Sequence, residues 1–287
     1  MPSENIQWFP GHMAKTRRLI KECLPLVDAV IEILDARIPR SSENPEIPEL
    51  IGGKPRLTVL AKASLADPDI TELWKKYYSE NGRLCIFIDS VSGLGMNGVL
   101  PALNALLSDK IENYERKGMS GRALRAMVVG IPNAGKSTFI NYLAGKRKTK
   151  VEDRPGVTLT KQWIAAQEGL DLLDMPGVLW PKFNDRQAGE SLAITGAIKD
   201  TILDTETIAV ALCGRLRKLY PVLFAERYKL GDSIQSDGSE DYEIFESIGR
   251  KRGFLISGGD VNYERTAAVL LDEFRAAKIG RITIERP

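Results

Sequence analysis

Eight consecutive residues, Gly130-Ile131-Pro132-Asn133-Ala134-Gly135-Lys136-Ser137, satisfy the pattern G-x-x-x-x-G-K-[ST], and Thr138 follows them. Glycines at those places let backbone N–H groups curl around phosphate oxygens at the positive end of a following helix. Lys136 is then expected at the β- and γ-phosphates, with the Ser137 hydroxyl on Mg²⁺. Asn133, Ala134, Gly135 and Thr138 complete the nucleotide-binding turn. The bland alternative is a chance glycine turn. The flanking residues weigh against it, because the apolar run Ala126–Val129 leads into the turn and Phe139–Leu143 continues as a helix.

A second constellation, Asp174-Met175-Pro176-Gly177, closes the apolar run Leu170–Leu173. In this D-x-x-G arrangement Asp174 holds the magnesium shell and the Gly177 amide senses the γ-phosphate. Between the two motifs lies the polar loop Arg154-Pro155-Gly156-Val157-Thr158, where Thr158 is placed to close over Mg²⁺ as a first switch. Together these parts point to phosphoryl hydrolysis or a nucleotide-gated switch rather than a generic anion site.

The elements that must position these residues are short β-branched and aliphatic runs: Ala29–Leu34, Leu57–Leu60, Leu84–Ile88, Ala126–Val129 and Leu170–Leu173. Helical patterns alternate with them at Ala14–Leu24, Ile70–Tyr78 and Val99–Leu107, which predicts an α/β fold with a doubly wound, mostly parallel sheet. Lys110–Arg125 reads as a helix tail running into a linker. Beyond Gly189 the spacing shifts toward 3.6 in Ala209–Leu219, Tyr242–Lys251 and Tyr263–Ala277, with a polar loop at Ser233–Asp241. The expected division is a P-loop domain over 1–189 and a smaller helical domain over 190–287.

Composition narrows the function classes. With 40 Lys and Arg against 38 Asp and Glu, the chain is no polycationic tail protein, although local clusters at Lys146–Lys150 and Arg250–Arg252 are candidate RNA contacts. Cys23, Cys85 and Cys213 lie far apart and form no metal or redox spacing; Cys85, inside an apolar run, reads as a buried thiol. No signal peptide and no membrane-spanning run are visible, so a cytoplasmic protein free of membranes is expected.

Two further loops have the character of base-reading segments, and both precede the phosphate cradle. Leu57–Leu60 leads into Ala61-Lys62-Ala63-Ser64, and Leu84–Ile88 leads into Asp89-Ser90-Val91-Ser92-Gly93. These stand where N-K-x-D and S-A-x loops would be, in an order opposite to that of ordinary GTPases. A doubly wound sheet tolerates such a cut because its site is built from loops at strand ends. The order, together with Trp8–Met13, Asp35-Ala36-Arg37-Ile38-Pro39, Asp174–Pro181 and Thr195-Gly196-Ala197-Ile198-Lys199-Asp200, resembles the circularly permuted GTPases, most closely the bacterial ribosome biogenesis GTPase A (YlqF-like) family.

The resemblance implies a GTPase of late large-subunit assembly, binding GTP and GDP, and a carboxy-terminal domain that contacts ribosomal RNA of the subunit precursor. A monomer is expected. It also implies that Asn133 helps hold K⁺ beside the phosphates, and that the segment carrying His12 swings toward the nucleotide when the ribosome docks. His12 is the single histidine of the chain. On its own such a residue is more often a surface or capping group; the catalytic role comes from the resemblance. Val178, where small GTPases carry a glutamine, has no group to orient water.

One departure stands out. Ala61 and Ser64 replace the Asn and Asp of N-K-x-D, which removes a charged bidentate contact to guanine, roughly 2–3 kcal/mol of discrimination. Lys62 still lays its stem along the base, and Asp67 substitutes only if the loop shifts register. From the residues alone a nucleotide-gated assembly scaffold with weak base specificity, or an ATPase, remains open beside a GTPase. Changing Ala61→Asn with Ser64→Asp is expected to raise the ratio of GTP to ATP affinity.

Overall fold

The sequence Ala-Val-Ile-Glu-Ile-Leu-Asp at 29–35 is buried at every position, as a central strand flanked by packed layers requires. It forms β1 (Ala29–Asp35) of a six-stranded sheet. The other strands are β2 (Arg56–Ala61), β3 (Cys85–Phe87), β4 (Leu124–Gly130), β5 (Gln162–Ala165) and β6 (Leu170–Asp174), in the order β3-β2-β1-β4-β6-β5. All neighbours are parallel except β5 and β6. The structure, a computed structural model, describes residues 12–119, 121–145, 162–166, 169–180, 185–231 and 240–287.

Twelve described helices surround and extend the sheet. In the first part they are α1 (His12–Cys23), α2 (Pro39–Ser42), α3 (Ile47–Ile51), α4 (Pro68–Glu80), α5 (Val99–Leu106), α6 (Ser108–Arg116) and α7 (Lys136–Leu143). The rest are α8 (Arg186–Ile194), α9 (Thr205–Leu219), α10 (Pro221–Tyr228), α11 (Asp241–Lys251) and α12 (Tyr263–Arg275). One face of the sheet buries Ile31, Ile33, Val59 and Val128 in a core that continues through Phe139 to Leu212, Phe245 and Leu270 of the helical part. The opposite face gathers Val30, Met127 and Val129 with Ile20 and Cys23 of α1. Helix α8 runs across residue 189 and packs on both α2 and α9.

Three sequence expectations change. The antiparallel edge strand β5 was not foreseen, since four residues with Trp163 exposed and Ile164 buried offer little apolar signal. The expected strand Leu84–Ile88 is shorter, Cys85–Phe87. The charged stretch Lys110–Arg125 begins as the expected helix tail and linker, α6 ending at Arg116, but its last two residues, Leu124 and Arg125, open β4. Arg125 fits a strand because its guanidinium leaves the sheet and lies 5.3 Å from the centre of the Trp163 ring. The expected loop at Ser233–Asp241 lies largely outside the described residues, and Asp241 begins α11.

Register explains why a site forms at one edge. Asp35 stands opposite Ala61, Ile33 opposite Gly130, and Val128 opposite Asp174. The carboxyl ends of four parallel strands therefore open onto one crevice, the place where doubly wound sheets bind ligands.

Candidate nucleotide site

The cradle follows β4 directly. Gly130 is required there, because a Cβ would lie 2.4 Å from the carbonyl oxygen of Ile33 on the neighbouring strand. Asn133 takes a left-handed conformation (φ 56°) that asparagine tolerates better than most residues. Its side-chain Nδ2 donates to the Gly196 carbonyl at 2.7 Å. Ala134 is buried, Gly135 precedes α7 at φ 105°, and Ser137 and Thr138 occupy the first turn of α7, half-buried.

Lys136 is buried and folds back on the cradle, donating to the carbonyls of Ile131 (2.7 Å) and Gly130 (3.1 Å). Burial drives its pKa down, the nearby Asp174 carboxylate opposes the fall and Lys62 adds to it, leaving the ammonium at about 8. A phosphate group arriving here would satisfy a cation that the cradle holds at an energetic cost.

The D-x-x-G segment lies against the same turn. Val178 N–H donates to the Gly130 carbonyl at 3.1 Å, and a Cβ on Gly177 would meet the Pro132 backbone at 2.9–3.0 Å. Asp174 is buried at the end of β6. Val178 packs into the apolar cluster with Met175, Ile20 and Cys23, so it turns away from the crevice. The same cluster seats α1, whose first residue is His12. Neither the His12 side chain nor Thr158 lies among the described residues.

The base-side loops meet the cradle through Lys62. This residue adopts φ 59°, a strained conformation for lysine. Its ammonium donates to the Asn133 carbonyl and pairs with Asp35 at 3.1 Å. Ala61 is buried, with its Cβ 3.7 Å from where a Cβ on Gly135 would stand. Ala63 N–H donates to the Ile88 carbonyl at 3.0 Å, which draws the two base-side loops together. Ser64 donates its hydroxyl to Asp89, whereas the Ser90 hydroxyl turns to the Met96 sulfur at 3.5 Å.

Sequence reading gave no role to Asp35, Arg37 or Arg281, yet these hold the base-side loop. Asp35 makes a two-point pair with Arg37, Oδ1 to Nε at 2.9 Å and Oδ2 to Nη2 at 2.7 Å. Burial disfavours its charge, but Arg37 and Lys62 hold the carboxyl well below the usual carboxylate range. Arg37 also donates to the Arg275 carbonyl at the end of α12 (3.3 Å). After α12 the tail returns to the sheet: Ile282 N–H donates to Leu65, Ile284 N–H to Arg37, and Arg281 to the carbonyls of Ala63 and Ala66, both at 2.9 Å. The one signal in the sequence was the Asp35-Ala36-Arg37 segment itself; nothing local marks Arg281.

Arg281→Ala should therefore loosen the base-side loop without disturbing the cradle. Two charged donations are lost, and only part of their roughly 1.5–3 kcal/mol each reaches the ligand. About fivefold weaker GDP binding is expected by calorimetry, with unchanged helix content; parent-like affinity would mean that the tail merely packs.

The candidate RNA cluster at Arg250–Arg252 is partly engaged within the fold. Arg250 pairs with Glu246 at 2.7 Å, and Arg252 reaches Glu273 at 3.3 Å while lying 5.1 Å from the Tyr228 ring centre. Residues 146–150 lie outside the described residues. All three cysteines are buried and free, and burial pushes the Cys85 thiol up to about 12. Among the described residues no helix is long and apolar enough to cross a membrane.

The chain is similar to known proteins over nearly its whole length. The family described as 50S ribosome-binding GTPase matches residues 125–213, from β4 into α9. Ribosome biogenesis GTPase A of Bacillus cereus is 47% identical over 282 residues, covering 98% of this chain and 94% of that protein. Its counterpart in Priestia megaterium is 48% identical over 283 residues, covering 98% and 97%. The solved structure of GNP-bound YlqF from T. maritima is 28% identical, covers 95% of this chain and 98% of its own, and superposes with a TM-score of 0.65. With its cradle, D-x-x-G turn and six-stranded sheet, the chain belongs to the ribosome biogenesis GTPase A family and is a GTP-hydrolysing enzyme.

Proposed function

We propose that this GTPase acts in assembly of the large ribosomal subunit, with its turnover stimulated by the subunit precursor. The observation that carries this reading is the double tie between nucleotide site and helical part: Asn133 to Gly196, and Arg281 to Ala63 and Ala66. Through these bonds a shift of the cradle or the base-side loop on nucleotide exchange would be passed to the helices. The names of the relatives, and a matched family described as 50S ribosome-binding, support the ribosome as partner. In this reading residues 1–189 form a circularly permuted P-loop domain, supported by base-side loops that precede the cradle. Residues 190–287 form the helical domain that contacts ribosomal RNA, and the protein works in the cytoplasm as a monomer.

The donor set fits magnesium. Ser137 and Asp174 offer hard oxygen donors, and among the described residues no group of three or more His, Cys, Asp or Glu gathers. Phosphate oxygens and water would complete the shell, as is usual for this ion. Bound Mg²⁺ would neutralise charge on the phosphates, with Ser137, Asp174 and Thr158 as its protein ligands. The chain's own contribution is to fix the phosphates: the cradle amides and Lys136 bind them, and the Gly177 amide senses the γ-phosphate. Asn133 is the proposed K⁺ ligand.

Because Val178 is buried in the core, the group that aids water comes from elsewhere, and His12 on α1 is the proposed one. An acid–base contribution of about 10²–10⁴-fold is the usual range for a positioned imidazole. The test is single-turnover GTP hydrolysis with and without large-subunit precursor particles, at equal occupancy, in K⁺ and in Na⁺. Parent protein should be slow alone, faster on the particle and faster in K⁺. His12→Ala should lose most of the stimulation, and Asn133→Ala the K⁺ effect. A particle that leaves the parent rate unchanged would overturn the ribosomal reading; full stimulation of His12→Ala would remove only the histidine.

A further inference from the structure

Residue 64 stands where a guanine-reading loop carries an acid, and it is a serine. A carboxylate nevertheless touches that position, because the Ser64 hydroxyl donates to Asp89 Oδ2. The two residues belong to different loops, one after β2 and one after β3, held together by the Ala63 to Ile88 hydrogen bond. Asp89 Oδ1 accepts the N–H groups of Val91 and Ser92, each at 2.8 Å, and the Ser92 hydroxyl at 3.2 Å. Burial works against the Asp89 charge, yet the bonds from Ser64, Ser92 and Val91 hold its carboxyl below the ordinary value. The group is thus a buried anion fixed beside residue 64, on the loop that follows β3.

The other nearby acid is committed elsewhere. Asp67 caps α4, accepting the N–H groups of Asp69 and Ile70 on Oδ1, and takes the Tyr220 hydroxyl at 2.9 Å on Oδ2. Those bonds tie it to α4 and to Tyr220 rather than to residue 64. Guanine presents two adjacent donors, N1–H and N2–H₂, whereas adenine presents an acceptor at N1 and no amino group at C2. Selecting guanine requires an acceptor, and a charged one discriminates best.

We propose that Asp89 is the guanine-selecting residue of this chain: its carboxylate accepts from N1–H and N2–H₂, and the Ser64 hydroxyl positions it. The acid sits on the loop after β3 instead of the loop after β2, and the hydroxyl takes the reciprocal place. The inference rests on the crevice being the nucleotide pocket. It also reverses an expectation from sequence, since Ser64→Asp in the presence of Asp89 brings two carboxylates together and should weaken GTP binding, whatever stands at Ala61.

The experiment compares affinities for GDP, XDP and ADP in the parent, Asp89→Asn, Ser64→Asp and the exchanged pair Ser64→Asp with Asp89→Ser. Xanthine carries a carbonyl oxygen where guanine carries its amino group, so an asparagine amide can donate to it. Asp89→Asn should bind GDP about tenfold to a hundredfold more weakly, the range for a hydrogen bond to a charged group. It should gain XDP affinity and leave ADP unchanged. Ser64→Asp alone should lose GDP affinity, and the exchanged pair should regain it. An unchanged GDP-to-XDP ratio in an Asp89→Asn variant that keeps parent ADP affinity overturns the proposal. Should that variant lose all three nucleotides equally, the exchanged pair decides: a restored GDP preference supports the proposal and its absence refutes it. Failure of the parent to bind any of the three would instead refute the pocket itself.

Discussion

Lys136→Ala is expected to bind GTP and GDP at least about a hundredfold more weakly than the parent, while the nucleotide-free protein melts within a few degrees of it. The affinity loss follows from removing a cation aimed at the β- and γ-phosphates, where charged hydrogen bonds contribute about 1.5–3 kcal/mol each. The small change in melting follows from two opposing effects. Burial holds the ammonium at about 8 rather than 10.5, a gap worth roughly 3 kcal/mol against the folded state. Removing the side chain relieves that cost, but it also deprives the Ile131 and Gly130 carbonyls of a donor and Asp174 of a nearby positive charge.

The sign of the pH effect follows from the same depression. Below pH 8 the lysine is protonated in both free and bound protein, and affinity is at its full value. Phosphate raises the lysine pKa, so above about 8 binding must take up a proton, and parent affinity falls by up to about tenfold per pH unit. Lys136→Ala should lack that slope between pH 8 and 9. Calorimetry across that window, beside thermal melts without nucleotide, tests both halves. A variant with parent-like affinity would remove the cradle assignment, and one that unfolds would show that the lysine serves chiefly the fold.

The phosphate side of the site was legible because its chemistry is local. A glycine-rich turn between strand and helix carries its geometry within nine residues, and the structure places Gly130–Thr138 between β4 and the first turn of α7. The base side was not legible in the same way. Ala61 and Ser64 look like erosion when one loop is read alone, because the carboxylate that touches Ser64 arrives from Asp89 across a strand pairing. Arg281 was invisible for a related reason: an arginine in a short tail has no periodicity, and its acceptors Ala63 and Ala66 are backbone carbonyls that no residue type announces. The edge strand β5 failed to declare itself because one exposed and one buried residue make too little alternation to detect. Ion pairs and hydrogen bonds between distant segments are the part of a site that a single sequence hides.

Asp35→Ala should be the most destabilising single change near the site, at about 3–5 kcal/mol. The carboxylate lies between Arg37 and Lys62, and both it and the Arg37 side chain are only 2% exposed. Deleting one partner of such a pair leaves an uncompensated buried charge, which is where the large cost arises. A loss of this size lowers the melting temperature by about 10 °C in a chain of this length. The Arg37 guanidinium would also be free to leave the Arg275 carbonyl and the Phe274 ring, 5.6 Å from its centre, so the seat of α12 loosens with the base-side loop. Lys62, no longer anchored, should relax from φ 59° and weaken GDP binding as well. Because the Asp35 carboxyl titrates well below the usual range, its contribution is fully present above the ordinary value of 3.8 and is lost only as pH falls through the folded value. The difference in melting temperature between parent and variant should accordingly stay constant from pH 8 down to pH 5. Adding Arg37→Ala to Asp35→Ala should cost much less than the sum of the two single changes, since the second removes the charge that the first left unpaired. Strict additivity, or a melting temperature within two degrees of the parent, would show that the pair adds little to the fold and that the base-side loop is held without it, by Arg281 and the Ala63 to Ile88 bond.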